Sequence, residues 1–537
     1  MQKSVVIQIL PLRRMNLIQS ARHVATHATR GEYFATCHPG LEETVALELS
    51  SPAIGADNIR IGKAGVSYNG NVDVIYKSNL WLRSAIRVLS LLTELDLNPN
   101  LPAGESIYEA FSEAATWTDL LKRGQTFSVD ARIYGNSNFT NSQLLSTRAR
   151  DAICDYVRDR TGTRPLPPER GRTPDLPLFV TAFQDQIRIY RDCSGESLHR
   201  RGYRQVMHAA PLNEAAAAGC LYLAGWDKKA QQAQQGGAGD QLVLADPMCG
   251  SGTFLIEAAL MATNTAPGLF RRWWPFLGWP DADLDAWRDA VDSAKDSARS
   301  GAAASSTSGL TIYGNDWYSK ALELSLRDIR ASGMEKYIKL HHGNCKTWEF
   351  PQTPSIVVTN PPWGKRLMSA QRGAREGQER GGGREREREG RGGYADRRQG
   401  RDNYGGGGRG NDNQYNRDFA YENSNSYRDG EGRGGDFGGG DGDAMDKEEQ
   451  ELADAWSGLG TFLKRQAGGA DAFILSGSST ATQHLRLRAD KRMPLTIGGV
   501  DCRLLQYHIR GLNPDSPSLS GFSPQDKNFK GRDSILG

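Results

Sequence analysis

A chain of 537 residues exceeds one ordinary hydrophobic core and predicts two or more domains of roughly 100 to 200 residues each. Its formal net charge of +3 neither demands nor excludes a nucleic-acid partner, so local patches must decide. No run reaches the roughly 18 to 20 apolar residues that cross a bilayer. The seven cysteines (Cys37, Cys154, Cys193, Cys220, Cys249, Cys345 and Cys502) include no C-x-x-C pair, which argues against a zinc site or a disulfide framework and for a reducing compartment.

The first thirty residues carry Lys3, Arg13, Arg14, Arg22 and Arg30, with no acidic residue before Glu32. That composition reads as an organellar transit peptide over 1–31; a frayed basic terminus is the plainer alternative. From 32 to about 205, helix and strand signals mix. Residues 33–36 read as a strand and 41–49 as a helix with Leu41, Val45 and Leu49 on one face. Residues 127–131 alternate like a strand, and 144–157 read as a helix bearing Arg148 and Arg150. This is an α+β module.

From about 206 the pattern becomes repeated βα units: a helix at 211–223, a strand at 242–245, a glycine turn and a helix at 253–261. A strand at 310–313 then precedes a helix at 319–331, and a strand at 355–359 precedes an Asn-Pro-Pro segment. Such repetition predicts a parallel, doubly wound α/β sheet. Residues 369–445 form a tract of Gly, Arg, Glu, Asp, Asn and Tyr with three Arg-Gly-Gly steps and too few apolar side chains to offset ordering entropy. It reads as an insertion within one domain, because helical spacing resumes at Leu452, Ala455, Trp456, Leu459, Phe462 and Leu463, followed by a strand at 472–475. Strands at 495–497 and 500–504 flank Gly498-Gly499, a turn that tolerates positive φ at both positions, so the sheet should finish on an antiparallel hairpin. This α/β unit is thus expected over 206–368 and 446–510, with a tail over 511–537.

Three segments carry chemistry. Asp246-Pro247-Met248-Cys249-Gly250-Ser251-Gly252-Thr253 lies between a strand and a helix, where Gly250 and Gly252 let the backbone turn sharply and approach a ligand. It lacks the rest of a dinucleotide fingerprint and the lysine of a phosphate-binding loop, so an adenosyl-type cofactor fits better. Gly314-Asn315-Asp316-Trp317 puts Asp316 at the edge of the next strand, where a carboxylate can accept from ribose hydroxyls, or cap the following helix. Asn360-Pro361-Pro362-Trp363 ends a buried strand. The lone pair of an exocyclic base amine is conjugated with the ring. Hydrogen bonds from its two protons to the Asn360 oxygen and the Pro361 carbonyl would draw that pair toward a methyl donor. Pro361 and Pro362 fix the backbone, and the Trp363 face offers a stacking platform for an extruded base.

Together with Ala210-Pro211-Leu212-Asn213-Glu214 and the segment from Ser194 through Arg200, Arg201, Gly202, Tyr203 and Arg204, these motifs resemble bacterial-type 23S rRNA guanine-N2 methyltransferases of the RlmL-like, THUMP-containing group. The resemblance covers about 33–367 and 447–508. It implies a THUMP-type RNA-binding domain over 32–205, a class I (Rossmann-like) methyltransferase using S-adenosyl-L-methionine, and attack through guanine N2. The implied cofactor contacts are Pro211, Asp246, Met248, Cys249, Gly250, Gly252, Thr253, Asp316, Asn344 and Asn360. Three departures stand out: Trp363 replaces the family's usual Tyr, Asn344 stands where many relatives hold the adenine amine with an acid, and no second methylase domain follows the first, so one methylation is expected.

Arg200, Arg201, Tyr203 and Arg204 form a basic-aromatic cluster suited to phosphate contact and base stacking, or else a solvated charge run. The Arg-Gly-Gly tract reads as auxiliary RNA binding or a linker. The nine histidines show no metal spacing, so no metal is expected. The expected partner is rRNA, with tRNA as the alternative, and the expected location is organellar, plastid ahead of mitochondrion, with the cytoplasm as alternative. The rival functions are a tRNA guanine-N2 methyltransferase, an adenine-N6 methyltransferase acting on DNA, and a non-catalytic RNA-binding assembly factor.

Overall fold

The computed structural model describes residues 31–135, 140–169, 171–204, 212–235, 241–307, 309–364 and 442–511. The leader expected over 1–31 therefore lies, but for Gly31, outside the described residues, as do Pro211, residues 369–441 of the Arg/Gly tract, and the tail from 512.

The first half is built on one seven-stranded sheet. Its strands are β1 (Gly31–Cys37), β2 (Asp57–Gly62), β3 (Gly65–Gly70), β4 (Ala85–Asp96), β5 (Phe127–Tyr134), β6 (Leu176–Phe183) and β7 (Gln186–Asp192). They run β2-β3-β1-β4-β7-β6-β5, and β5 with β6 is the parallel pair. Helices α1 (Glu42–Leu49), α2 (Val72–Trp81), α3 (Ala103–Glu113) and α4 (Ser142–Thr161) cover it. Local signals suit each element. In α4, for example, the Asn141 side chain caps the first turn and Gly162 ends it in the left-handed region. The expected α+β module is thus one continuous sheet, joined at its centre by the non-local β4–β7 ladder.

The second half has helices α5 (Glu214–Leu223), α6 (Trp226–Gln235), α7 (Thr253–Ala262), α8 (Leu284–Thr307), α9 (Ser319–Ser332) and α10 (Gly442–Gln466). Its strands are β8 (Val243–Asp246), β9 (Thr311–Asp316), β10 (Ile338–His342), β11 (Ile356–Thr359), β12 (Asp471–Ser476), β13 (Lys491–Ile497) and β14 (Val500–His508). Their order is β10-β9-β8-β11-β12-β14-β13; the first five are parallel, and β14 and β13 close the sheet as an antiparallel hairpin. Gly498 and Gly499 both adopt positive φ in its two-residue turn, as expected. Asn213 starts α5, its side-chain oxygen accepting from the N–H groups of Ala215 and Ala216. Every residue of α7 is buried, so this helix is the hydrophobic pillar beneath the glycine loop.

The halves pack directly. Leu41 of the first sits where Gly219 of α5 has no side chain, and the Thr496 N–H donates to the Pro39 carbonyl at 3.0 Å. Among the described residues, no helix is long and apolar enough to cross a membrane.

Candidate active site

The carboxyl edges of β8, β9, β10 and β11 bring together the glycine loop, Asp316, Asn344 and the Asn-Pro-Pro segment. Asp246 ends β8 at 1% exposure. Its Oδ1 accepts from the Thr359 hydroxyl at 2.6 Å and from the Met248 N–H at 3.1 Å. Burial pushes its carboxyl up to about 7, offset by those two donors and reinforced by the Asp316 charge. Gly250 and Gly252 both take positive φ, and no atom lies within 4 Å of the Cβ that Gly250 lacks. At Gly252, by contrast, a Cβ would meet the Ser325 hydroxyl of α9 at 2.2 Å. The loop is therefore open on the Gly250 side and closed on the Gly252 side, as a cradle for an extended ligand must be.

Asp316 ends β9 and reaches across to the loop: Oδ2 accepts from the Gly250 N–H at 2.8 Å and Oδ1 from the Tyr318 N–H at 2.9 Å. It thus holds the turn that leads into α9, whose N-cap is Tyr318 with no side-chain cap, and braces the glycine loop at once, with lone pairs left over on both oxygens. Asn344 is exposed beyond β10, and its side-chain oxygen accepts from the Lys346 N–H at 2.9 Å. Met248 is half-buried against the second core cluster, and Cys249 is buried beside Gly314.

Asn360 follows β11, and its Oδ1 is buried with no hydrogen-bond partner among the described residues. An unmet acceptor costs about 1 to 3 kcal/mol, so this position favours the arrival of a hydrogen-bond donor. The neighbouring loop is held from both sides. The Trp456 indole of α10 donates to the Pro362 carbonyl at 2.9 Å, and the Trp363 indole donates to the Leu475 carbonyl at the end of β12 at 3.2 Å. Trp363 lies half-buried against Gly477, where a Cβ would come within 2.6 Å of the ring.

The basic-aromatic cluster lands elsewhere. Arg201 is 2% exposed and pairs with Glu257 of α7, while also donating to the carbonyls of Leu198 and Arg83. The Tyr203 hydroxyl donates to Glu257 at 3.0 Å. Arg204 sits between Glu214 and Asp328 and donates to the Thr253 hydroxyl at 2.7 Å. Three of the four residues read as RNA contacts therefore face inward, because carboxylates on α5, α7 and α9 neutralise them there. Arg200 alone of the four is exposed.

Sequence reasoning missed several supporting residues. Asn315 is buried and donates to the carbonyls of Pro247 and Gly343, clamping the β8 and β10 loops together; its oxygen meets the His341 Nδ1 at 2.8 Å. Trp317 is 72% exposed beside Asp316, a free aromatic face at the same edge. Its position directly after the predicted acidic residue was the available signal. Among the described residues, no three His, Cys, Asp or Glu side chains gather as a metal site.

A glycine-turn cradle, a bracing carboxylate and an Asn-Pro-Pro loop on such a sheet define the class I methyltransferase fold, here joined to a second, seven-stranded module. Residues 201–376 match the RMKL-like methyltransferase domain, 32–89 the RlmL ferredoxin-like domain and 105–192 the THUMP domain. The chain belongs to the RlmL-like, THUMP-containing methyltransferase family and is homologous to the N-terminal half of the K/L proteins. It is 34% identical over 336 residues to the ribosomal RNA large subunit methyltransferase K/L of Marinomonas sp., covering 62% of this chain and 43% of the relative. It is also 34% identical over 496 residues to the protein of that name from Syntrophotalea carbinolica, covering 90% and 55%. The chain thus spans about half the length of the curated relatives it matches. The fold is shared with a methyltransferase candidate complexed with SAH (TM-score 0.62, 22% identity, covering 90% of this chain and 99% of that one). It is shared too with TrmN from Thermus thermophilus (TM-score 0.52, 16% identity, 89% and 99%).

Proposed function

We propose that the chain is an S-adenosyl-L-methionine-dependent RNA methyltransferase that methylates guanine N2 in 23S-type large-subunit rRNA. The observation that carries the chemistry is the buried, unpartnered Asn360 oxygen at the carboxyl edge. The choice of large-subunit rRNA is supported by the names of the relatives, and the choice of guanine N2 by the resemblance that the sequence motifs carry.

The residues present fit the cofactor. The open side of the glycine loop would receive its methionine part near buried Asp246, Asp316 would meet the ribose, and the exposed Trp317 face and Asn344 would meet the adenine. The bound cofactor supplies an electrophilic methyl. The chain supplies position and polarisation. Asn360 Oδ1 and the Pro361 carbonyl accept the two N2 protons, which draws the nitrogen lone pair out of conjugation and toward the methyl. Trp456 occupies the Pro362 carbonyl, so that acceptor does not compete. Trp363, anchored by its N–H, offers a ring face to the extruded guanine. No strong base is required, since the methylated amine sheds its proton to water.

The half that holds the ferredoxin-like and THUMP matches would grip the RNA, and exposed Arg200 would add a phosphate contact. The acid-poor leader supports an organellar, plastid-directed address. Mapping N2-methylguanosine in organellar and cytosolic RNA from cells with and without the gene tests the proposal. One guanosine mark in large-subunit rRNA should vanish; a full set of marks in the deleted cells rules the assignment out.

A further inference from the structure

Residues 477–490 leave the carboxyl edge of β12 directly beside the catalytic loop and cross α10 at Gly460 on the way to β13. Gly477 at the start packs on Trp363. Farther on, the short 3-10 helix Ala481–Leu485 is pressed against α10 so closely that the Leu485 carbonyl lies 2.5 Å from where Gly460 would carry a Cβ. Gly460 and Trp456 are four residues apart on α10, and so lie on one face about one turn apart. The same helix face therefore holds the Pro362 carbonyl, through Trp456, and the Leu485 carbonyl, through Gly460.

The residue that follows, Arg486, has φ 51° and ψ 40°, in the left-handed region. That conformation crowds Cβ against the backbone and is normally left to Gly or Asn. The strain has no packing return at the side chain, for Arg486 is exposed and its guanidinium has no hydrogen-bond or ion-pair partner among the described residues. From there the chain alternates. Leu487 and Ala489 pack against the core while Arg486 and Arg488 face solvent. Between Gly477 and Arg492 stand four cations, Arg486, Arg488, Lys491 and Arg492, against one acid, Asp490. The acid is engaged, accepting from the His508 N–H.

We propose that Arg486 and Arg488 are a phosphate-contacting surface for the RNA strand that flanks the target nucleotide. The proposal rests on the RNA-methyltransferase reading above. A strained backbone presents an exposed guanidinium next to the Leu485 carbonyl, which packs one helical turn along α10 from the tryptophan that holds the catalytic loop, and this suits strand capture. The extruded base must be held while its neighbours are gripped by sequence-independent charge.

The test uses the full chain and a large-subunit rRNA fragment in a fluorescence-anisotropy titration across KCl concentrations. For Arg486→Ala/Arg488→Ala, affinity should fall about tenfold near 0.1 M salt. The slope of log affinity against log salt should flatten by about 1.4, as expected for two lost phosphate contacts on a single strand. Affinity for S-adenosyl-L-methionine should stay unchanged, which separates the effect from misfolding. Arg486→Gly sharpens the result: thermal stability should rise as the left-handed strain is relieved, while RNA affinity falls. Arg486→Lys should keep most of the slope. Unchanged RNA affinity and slope in the double variant would overturn this surface, as would Arg486→Gly with full RNA affinity. A wild-type chain that neither binds nor methylates RNA would overturn the functional reading itself.

Discussion

The Arg204 guanidinium donates to the Thr253 hydroxyl at 2.7 Å. This ties the segment that follows the first sheet to the first residue of α7, immediately after the glycine loop. The arginine is buried between Glu214 and Asp328, and burial pushes the Glu214 carboxyl up against the pull of Arg204. Arg204 is a positioning residue: it holds the start of α7 in place without standing in the cradle itself.

Arg204→Ala would take the ion-pair partner from buried Glu214 and one of two from Asp328, which keeps Arg327, and should cost about 3 kcal/mol of stability. It should also weaken cofactor affinity about tenfold, or about 1.4 kcal/mol. Arg204→Lys keeps the charge but not the fork that serves three partners, so it should recover stability more than cofactor affinity. Denaturant unfolding with calorimetric binding checks both; equal recovery of the two would argue for a purely structural role.

Gly477→Ala should act on turnover. Its new Cβ would lie 2.6 Å from the Trp363 ring and displace the indole that anchors the catalytic loop. A misplacement of that order lowers rate by about 10- to 100-fold. Cofactor affinity should be untouched, because the glycine loop lies on another strand. Steady-state kinetics would show a fall in kcat at constant cofactor KM, and an unchanged kcat would mean that Trp363 does not set the loop.

The pH dependence follows from Asp246, whose folded pKa is raised from 3.8 to about 7. Between those values the folded chain holds a proton that the unfolded chain has released. Its contribution to stability is therefore complete below about pH 4 and is lost as pH rises to about 7. Glu48, raised to about 7 by burial, adds to the same window, so the wild-type curve must be compared with that of Asp246→Asn, in which only the Asp246 part is removed. A cofactor ammonium near Asp246 favours the carboxylate, so cofactor affinity should rise with pH through 7 in the wild type and stay flat in Asp246→Asn. Identical curves for the two proteins would remove Asp246 from the cofactor site.

Much of this architecture is legible in the sequence because its signals are local. The apolar strand before Asp246, the two glycines after it, the Asn-Pro-Pro at the end of β11 and the Gly498-Gly499 turn each fix their own backbone, and the doubly wound sheet with a closing hairpin follows from them. What stayed hidden is non-local. Arg201 and Arg204 read as a surface patch because the carboxylates that bury them lie 56 residues away at Glu257 and far along α9 at Asp328. The single first sheet depends on the β4–β7 ladder across about a hundred residues. Nothing near Arg486 announces its left-handed backbone, which comes directly after the Leu485 carbonyl that packs on Gly460.

The most direct measurement is single-turnover methyl transfer from S-adenosyl-L-methionine to a large-subunit rRNA fragment. Nucleosides are resolved by mass, and the wild type is compared with Asn360→Ala. The wild type should form N2-methylguanosine. Asn360→Ala should lose at least about 100-fold in rate at saturating cofactor and RNA, on the scale seen when one preorganised polar group is removed from a reacting centre. Methylation of adenine instead of guanine, or an undiminished rate in Asn360→Ala, would contradict the account.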